Sequence, residues 1–228
     1  MILNGIHYEI KNNSNKETLV FLHGNNEDHH IYDEVTKYFN NYRLVLIDSR
    51  LHGQSEKEDR RIYLKEIVND IINILNLERI TKATFIGFSD GGNIALLLSI
   101  MYPTYVNKIV IMGANYCQTG LKWNYLLANY GLYTYYSIMS MFKSEYRIKK
   151  WICAIMTLEP NIQDDDLSRI NCPTLIITSK KDCIRLKHSQ KMAKLIKKSN
   201  LVLIKNSSHF FLKDNLEDTV KAIINFLN

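Results

Sequence analysis

Short apolar runs alternate along this chain with amphipathic helical ones, and that alternation narrows the choice of fold more than any other feature. The runs are 18–23 (TLVFLH), 42–48 (YRLVLID), 83–87 (ATFIG), 107–112 (NKIVIM), 173–178 (PTLIIT) and 200–205 (NLVLIK). They are near-continuously apolar, so each must be covered on both faces, as in a parallel sheet between two helical layers. The stretches 28–39, 59–77, 91–101, 186–198 and 216–227 carry apolar residues at helical spacing. In 59–77, Ile67, Ile71, Ile74 and Leu75 share one side. Asn4-Gly5 within 2–10 signals a hairpin. The expected fold is α/β: a mostly parallel central sheet of about seven or eight strands with helices on both faces.

The alternation breaks once. Residues 117–167 contain no convincing strand and are rich in Trp, Tyr and Met. A structureless stretch of that length is improbable inside a compact domain, so roughly two to four helices are expected there. The 228 residues suit a single domain. Its core is expected from 1–116 and 168–228, with 117–167 as a helical cap. With 46% apolar and 23% charged residues, disorder and fibrous classes are excluded.

Cys117, Cys153, Cys172 and Cys183 show neither CxxC nor zinc-type Cys/His spacing, which suits free thiols in a reducing compartment. The first residues lack signal-peptide features. The longest apolar run, 94–101, is interrupted by Ser99 and falls short of the roughly 20 residues that span a bilayer. A cytoplasmic protein with no membrane partner is expected. The net charge of +6 is spread out. Its densest piece, 187–198, has Met192, Leu195 and Ile196 on one side, the pattern of a surface helix, and no nucleic-acid partner is expected.

The chemistry gathers around Gly87-Phe88-Ser89-Asp90-Gly91-Gly92. It fits G-x-S-x-G between a strand and a helix, where a sharp turn lifts the serine hydroxyl above the sheet edge. Such a hydroxyl needs a base, and the base an orienting acid. Asp182 and His209 each follow a strand by a short polar turn, at the strand ends where ligands gather in open α/β sheets. The expected catalytic residues are Ser89, Asp182 and His209. His7, His29, His30, His52 and His188 compete poorly by position, and Asn115 is a poorer partner for an imidazolium than Asp182. The oxyanion donors are expected to be the backbone N–H groups of Asp90 and Asn25, with His23 bracing the loop.

These segments resemble the α/β-hydrolase superfamily over almost the whole chain. Leu22-His23-Gly24 resembles its oxyanion loop, and Asp48-Ser49-Arg50-Leu51-His52-Gly53-Gln54-Ser55 its D-x-R-G-H-G-x-S segment. Residues 87–92 resemble the nucleophile elbow, and 178–182 and 208–210 the acid and histidine turns. The closest likeness is to small bacterial serine hydrolases with GFSDGG at the elbow and HGNGED at the oxyanion loop. Leu51 and Asn26 stand where these have glycine, so both loops are expected to be shaped differently. The resemblance implies no metal or organic cofactor.

The aromatic and methionine content of 117–167 suggests an apolar wall over the serine, with Trp123, Tyr130 and Met139 as candidate pocket residues. The expected activity is hydrolysis of a small or medium apolar carboxylic ester through an acyl-enzyme. Alternatives on the same site are acyltransferase, thioesterase, amidase or C–C hydrolase. A non-catalytic small-molecule-binding protein is an alternative of another class. Monomer and homodimer both remain open.

Overall fold

A computed structural model describes residues 1–15 and 17–228. Its strands are β1 (Ile2–Leu3), β2 (Ile6–Lys11), β3 (Thr18–Leu22), β4 (Arg43–Ile47), β5 (Ala83–Phe88), β6 (Val106–Met112), β7 (Thr174–Thr178) and β8 (Ser199–Leu203). Its helices are α1 (Asp33–Thr36), α2 (Leu64–Leu77), α3 (Asp90–Met101), α4 (Trp123–Met139), α5 (Glu145–Leu158), α6 (Asp164–Ser168), α7 (Leu186–Leu195), α8 (Phe211–Asp214) and α9 (Leu216–Leu227).

The strands form one sheet in the order β1-β2-β4-β3-β5-β6-β7-β8. Among the strands of the described residues, the β1–β2 and β2–β4 pairings are antiparallel; from β4 to β8 across the sheet the pairings are parallel. At the antiparallel end, Asn4 and Gly5 both take positive φ (48° and 79°), the geometry of a tight hairpin turn.

The apolar runs serve both faces by alternation. Val20, Leu22, Val45, Ile47, Phe85, Ile109, Ile111 and Ile176 pack against α2, α3 and α7. Their sequence neighbours Leu19, Phe21, Leu44, Leu46, Ile86, Val110, Leu175 and Ile177 pack against α1, α8 and α9. The architecture is a mostly parallel sheet between helical layers, the α/β-hydrolase fold.

Three helices are shorter than their periodicity suggests; of these, 186–198 stops at Leu195, where Ile196 turns to extended backbone. The 28–39 stretch divides into a 3₁₀ turn at His29–Tyr32 and the single-turn α1. Asp48 draws the His29 ring inward there, accepting from Nδ1 at 2.8 Å. In 59–77 the helix begins only at Leu64. Glu66 accepts from the Tyr63 N–H at 3.0 Å, closing the first turn.

Between β6 and β7 the chain leaves the sheet. α4 and α5 pack together as a hairpin, while α6 leans on α3 and α7. α5 buries Cys153, Ala154, Ile155 and Thr157, whereas α4 buries no residue fully. Among the described residues, no helix is long and apolar enough to cross a membrane.

Candidate active site

β5 delivers Ser89 to the edge of the sheet. The residue sits at φ 52°, ψ −118°, a region unfavourable to any side chain with a Cβ. The elbow holds because the following helix approaches closely: a Cβ on Gly91 would run into the Leu22 carbonyl. α3 is therefore seated directly on the end of β3.

Asp182 follows β7 and is fully buried. Its Oδ1 accepts from the Ile184 N–H at 3.0 Å and from His209 Nδ1 at 2.8 Å. The second bond leaves His209 Nε2 as the acceptor for the Ser89 hydroxyl, 3.1 Å away. To make this contact the imidazole crosses from the β8 side over the end of β6. Gly113, at φ 61°, provides the room, since a Cβ there would lie 2.8 Å from His209 Cε1. The sequence reading passed over Gly113; its only signal was a glycine directly after an apolar strand.

Burial pushes the His209 pKa down, but the hydrogen bond to Asp182 and the adjacent Cys183 outweigh it, and the net shift is upward from 6.5. Cys183 was not a candidate site residue, yet atoms of Asp182, Cys183 and His209 lie within 4.8 Å of one another. His7, His29 and Asp48 form a second such group. In both groups a carboxylate–imidazole hydrogen bond explains the proximity. Asp48 accepts from His7, the His29 ring and backbone, and the Gln54 N–H, at 2.8–3.0 Å. Burial alone would raise its pKa; the bonds from Gln54 and His29 hold it below the ordinary carboxylate value.

The loop after β3 stands beside the elbow. Among the described residues, no hydrogen bond occupies the backbone N–H of Asn25 or of Asp90. The Asn25 side chain ties three elements together, donating to Asp90 Oδ2 at 3.1 Å and to the Ile152 carbonyl of α5 at 3.0 Å. Burial raises the Asp90 pKa to about 6, against the hydrogen bonds from Asn25 and Asn93. His23 braces the loop: Nδ1–H donates to the Gly24 carbonyl at 2.7 Å and Nε2 accepts from the Ser49 N–H at 2.9 Å. Asn26 and Leu51, which stand where the resembling sequences have glycine, both take left-handed backbone. They adopt φ 60° and 68°, the conformation glycine would supply, and the Leu51 side chain is buried in the core.

A cavity of about 290 Å³ opens over Ser89. Asn25, Glu27, Asp90, Asn115, Lys181, Cys183, Ser208 and His209 give it polar groups; Phe88, Leu121, Tyr125, Met156, Ile184 and Phe210 give it apolar ones. Trp123, Tyr130 and Met139, expected in its wall, do not line it. Trp123 and Tyr130 are 75% and 45% exposed. α4 carries no charge and its polar residues Asn124, Asn129, Thr134 and Ser137 are spread around it, so helical spacing does not define an inward side. It turns Tyr125 and Asn129 to the cavity instead, joined by Met156 of α5.

His188, read from sequence as part of a basic surface helix, faces inward. Its ring stacks on Tyr116 at 4.2 Å, Nε2 accepts from the Tyr116 N–H, and burial lowers its pKa to about 4. His52, also buried, is lowered to about 4.

A family model described as the alpha/beta hydrolase fold matches residues 17–137. The chain is similar to serine hydrolase BPHL of Homo sapiens, 28% identical over 193 residues, covering 74% of this chain and 63% of that protein. It is also similar to strigolactone esterase RMS3 of Pisum sativum, 29% identical over 119 residues, covering 50% of this chain and 44% of that protein. The chain thus spans less than two thirds of either relative. Among solved structures, MGS-M2, an alpha/beta hydrolase enzyme from a Medee basin deep-sea metagenome library, matches with a TM-score of 0.85. That match covers 97% of this chain and 94% of the other at 20% identity. The family model spans more than half of the sequence, and the sheet order and crossovers agree with it: this chain belongs to the α/β-hydrolase fold family.

Proposed function

We propose that the protein is a serine hydrolase that cleaves esters of small or medium apolar carboxylic acids through an acyl-enzyme. The observation that carries this reading is the unbroken chain of hydrogen bonds from Ser89 through His209 to the buried Asp182. In the reaction, His209 Nε2 takes the Ser89 proton as Oγ attacks the ester carbonyl. Asp182 holds the imidazole orientation and stabilises the imidazolium. The N–H groups of Asn25 and Asp90 hold the developing oxyanion. His209 then returns its proton to the departing alcohol. Water, activated by the same imidazole, releases the acid and regenerates Ser89.

The ester preference rests on the cavity. Its volume of about 290 Å³ lies at the small end of small-molecule sites, roughly 300–1,000 Å³. Leu121, Met156, Ile184 and Phe210 suit an alkyl or aryl group. The serine hydrolase and esterase names borne by the two curated relatives agree with the reading.

The test is mass spectrometry after an organophosphonate, alongside a chromogenic ester series of increasing acyl length. Label on Ser89 and a maximum at short or medium chains are expected. Folded protein that takes no label and cleaves no ester would sink the proposal. Tight ligand binding without turnover would mark a receptor. Added alcohols or amines intercepting the acyl group ahead of water would mark a transferase.

A further inference from the structure

We propose that the outward face of the α4–α5 hairpin docks on an anionic phospholipid bilayer. α4 holds no charged residue in its 17 positions and buries none of them fully. On its outer side Trp123, Leu127, Tyr130 and Ile138 recur at helical spacing, and Met141 and Phe142 extend the surface past its end. Leu127, Ile138, Met141 and Phe142 are each more than half exposed. Gly131 faces the same way, and a Cβ on it would touch nothing within 4 Å. Thr134 lies between Tyr130 and Ile138 on this side, its hydroxyl turned back onto the Tyr130 carbonyl at 2.8 Å, and an exposed, largely apolar surface of this kind marks an interaction site.

Charge selects the occupant. Residues 117–158 contain Lys122, Lys143, Lys149 and Lys150, with Arg147 paired to Asp59 at 3.3 Å, against the acid Glu145. Lys122 and Lys143 bracket the apolar stripe at its two ends. A second copy of this chain docking face to face would press like charges together. An anionic bilayer offers the opposite charge, and its interfacial zone accepts Trp and Tyr rings with an apolar body and a polar edge. α4 carries no charge of its own; Lys122 before it, Lys143 after it and Lys149 and Lys150 on α5 supply a basic rim to an apolar helix that lies on a membrane without crossing it. Among the described residues no helix is long and apolar enough to cross such a bilayer, so docking would leave the chain on its surface. Tyr125 and Asn129 of the same helix line the cavity, so a docked hairpin sets the entrance to Ser89 beside the lipid.

The full chain is floated with vesicles of phosphatidylglycerol and phosphatidylcholine, and with vesicles of phosphatidylcholine alone. Binding to the mixed vesicles is expected, weakened roughly tenfold or more without the anionic lipid or at about 0.5 M salt. Leu127→Glu with Ile138→Glu is expected to lose at least about tenfold in binding while retaining helical content and hydrolysis of a short water-soluble ester. Lys143→Glu with Lys149→Glu, which spares the apolar face, is expected to weaken binding through charge alone. Wild-type protein that stays behind from the anionic vesicles overturns the proposal. So does binding that neither variant weakens. A dimer in solution that Leu127→Glu with Ile138→Glu disperses, with no vesicle binding, assigns the surface to a second copy instead. The readout is lipid binding, so its failure is distinct from failure of the hydrolase reading.

Discussion

Ser89 is held in a conformation that only its surroundings make tolerable, and its hydroxyl already points at an acceptor. Ser89→Ala is expected to lower kcat by about 10³-fold or more, and Asp182→Asn by about 10³–10⁴-fold, measured on one ester under saturating conditions. His209 must be neutral to accept the serine proton. Its pKa is shifted up from 6.5, so the rate should fall on acidification along a limb centred above pH 6.5. A rate flat down to pH 5 would contradict the assigned base. Ser89, Asp182 and His209 could be proposed from sequence because each sits on a short polar turn directly after an apolar run. Cys183 and Gly113 could not. Their part comes from the path of the imidazole across the sheet edge, which depends on strand order and not on a local pattern.

Among the elements, the strands were the most legible, because a run apolar on both faces has few places to go. The inserted helices were legible only as helices. α4 has no polar side to announce its orientation, so the wall of the cavity was assigned to Trp123, Tyr130 and Met139 when Tyr125 and Asn129 face it. Met156 of α5 projects into the same space. Met156→Ala is expected to move the preferred acyl length upward by roughly two to four carbons in a chain-length series. At the turns, Asn26 and Leu51 show that positive φ can be met without glycine. Asn26 is exposed, and Asn26→Val should cost about 1–2 kcal/mol in chemical denaturation, while Asn26→Gly should stay within about 0.5 kcal/mol of wild type.

At the level of the whole molecule, acid resistance is set by buried imidazoles. His52 and His188 are lowered from 6.5 to about 4, and His23 is lowered as well. The folded state thus holds fewer protons than the unfolded chain below pH 6.5. Their stabilising contribution is complete above that value and is lost as pH falls toward 4, by roughly 2–3 kcal/mol for each of His52 and His188. His209 and Asp90, both raised in the fold, work in the opposite sense and offset part of the loss. Thermal unfolding should show a larger fall in Tm between pH 7 and pH 4 for His209→Gln than for wild type. The single amide of Asn25 has a wider reach than its size suggests, because it grips the elbow and the hairpin at once. Cutting that side chain back would uncouple the turn that carries Ser89 from the helix above it, so Asn25→Ala should reduce kcat far more than it alters KM.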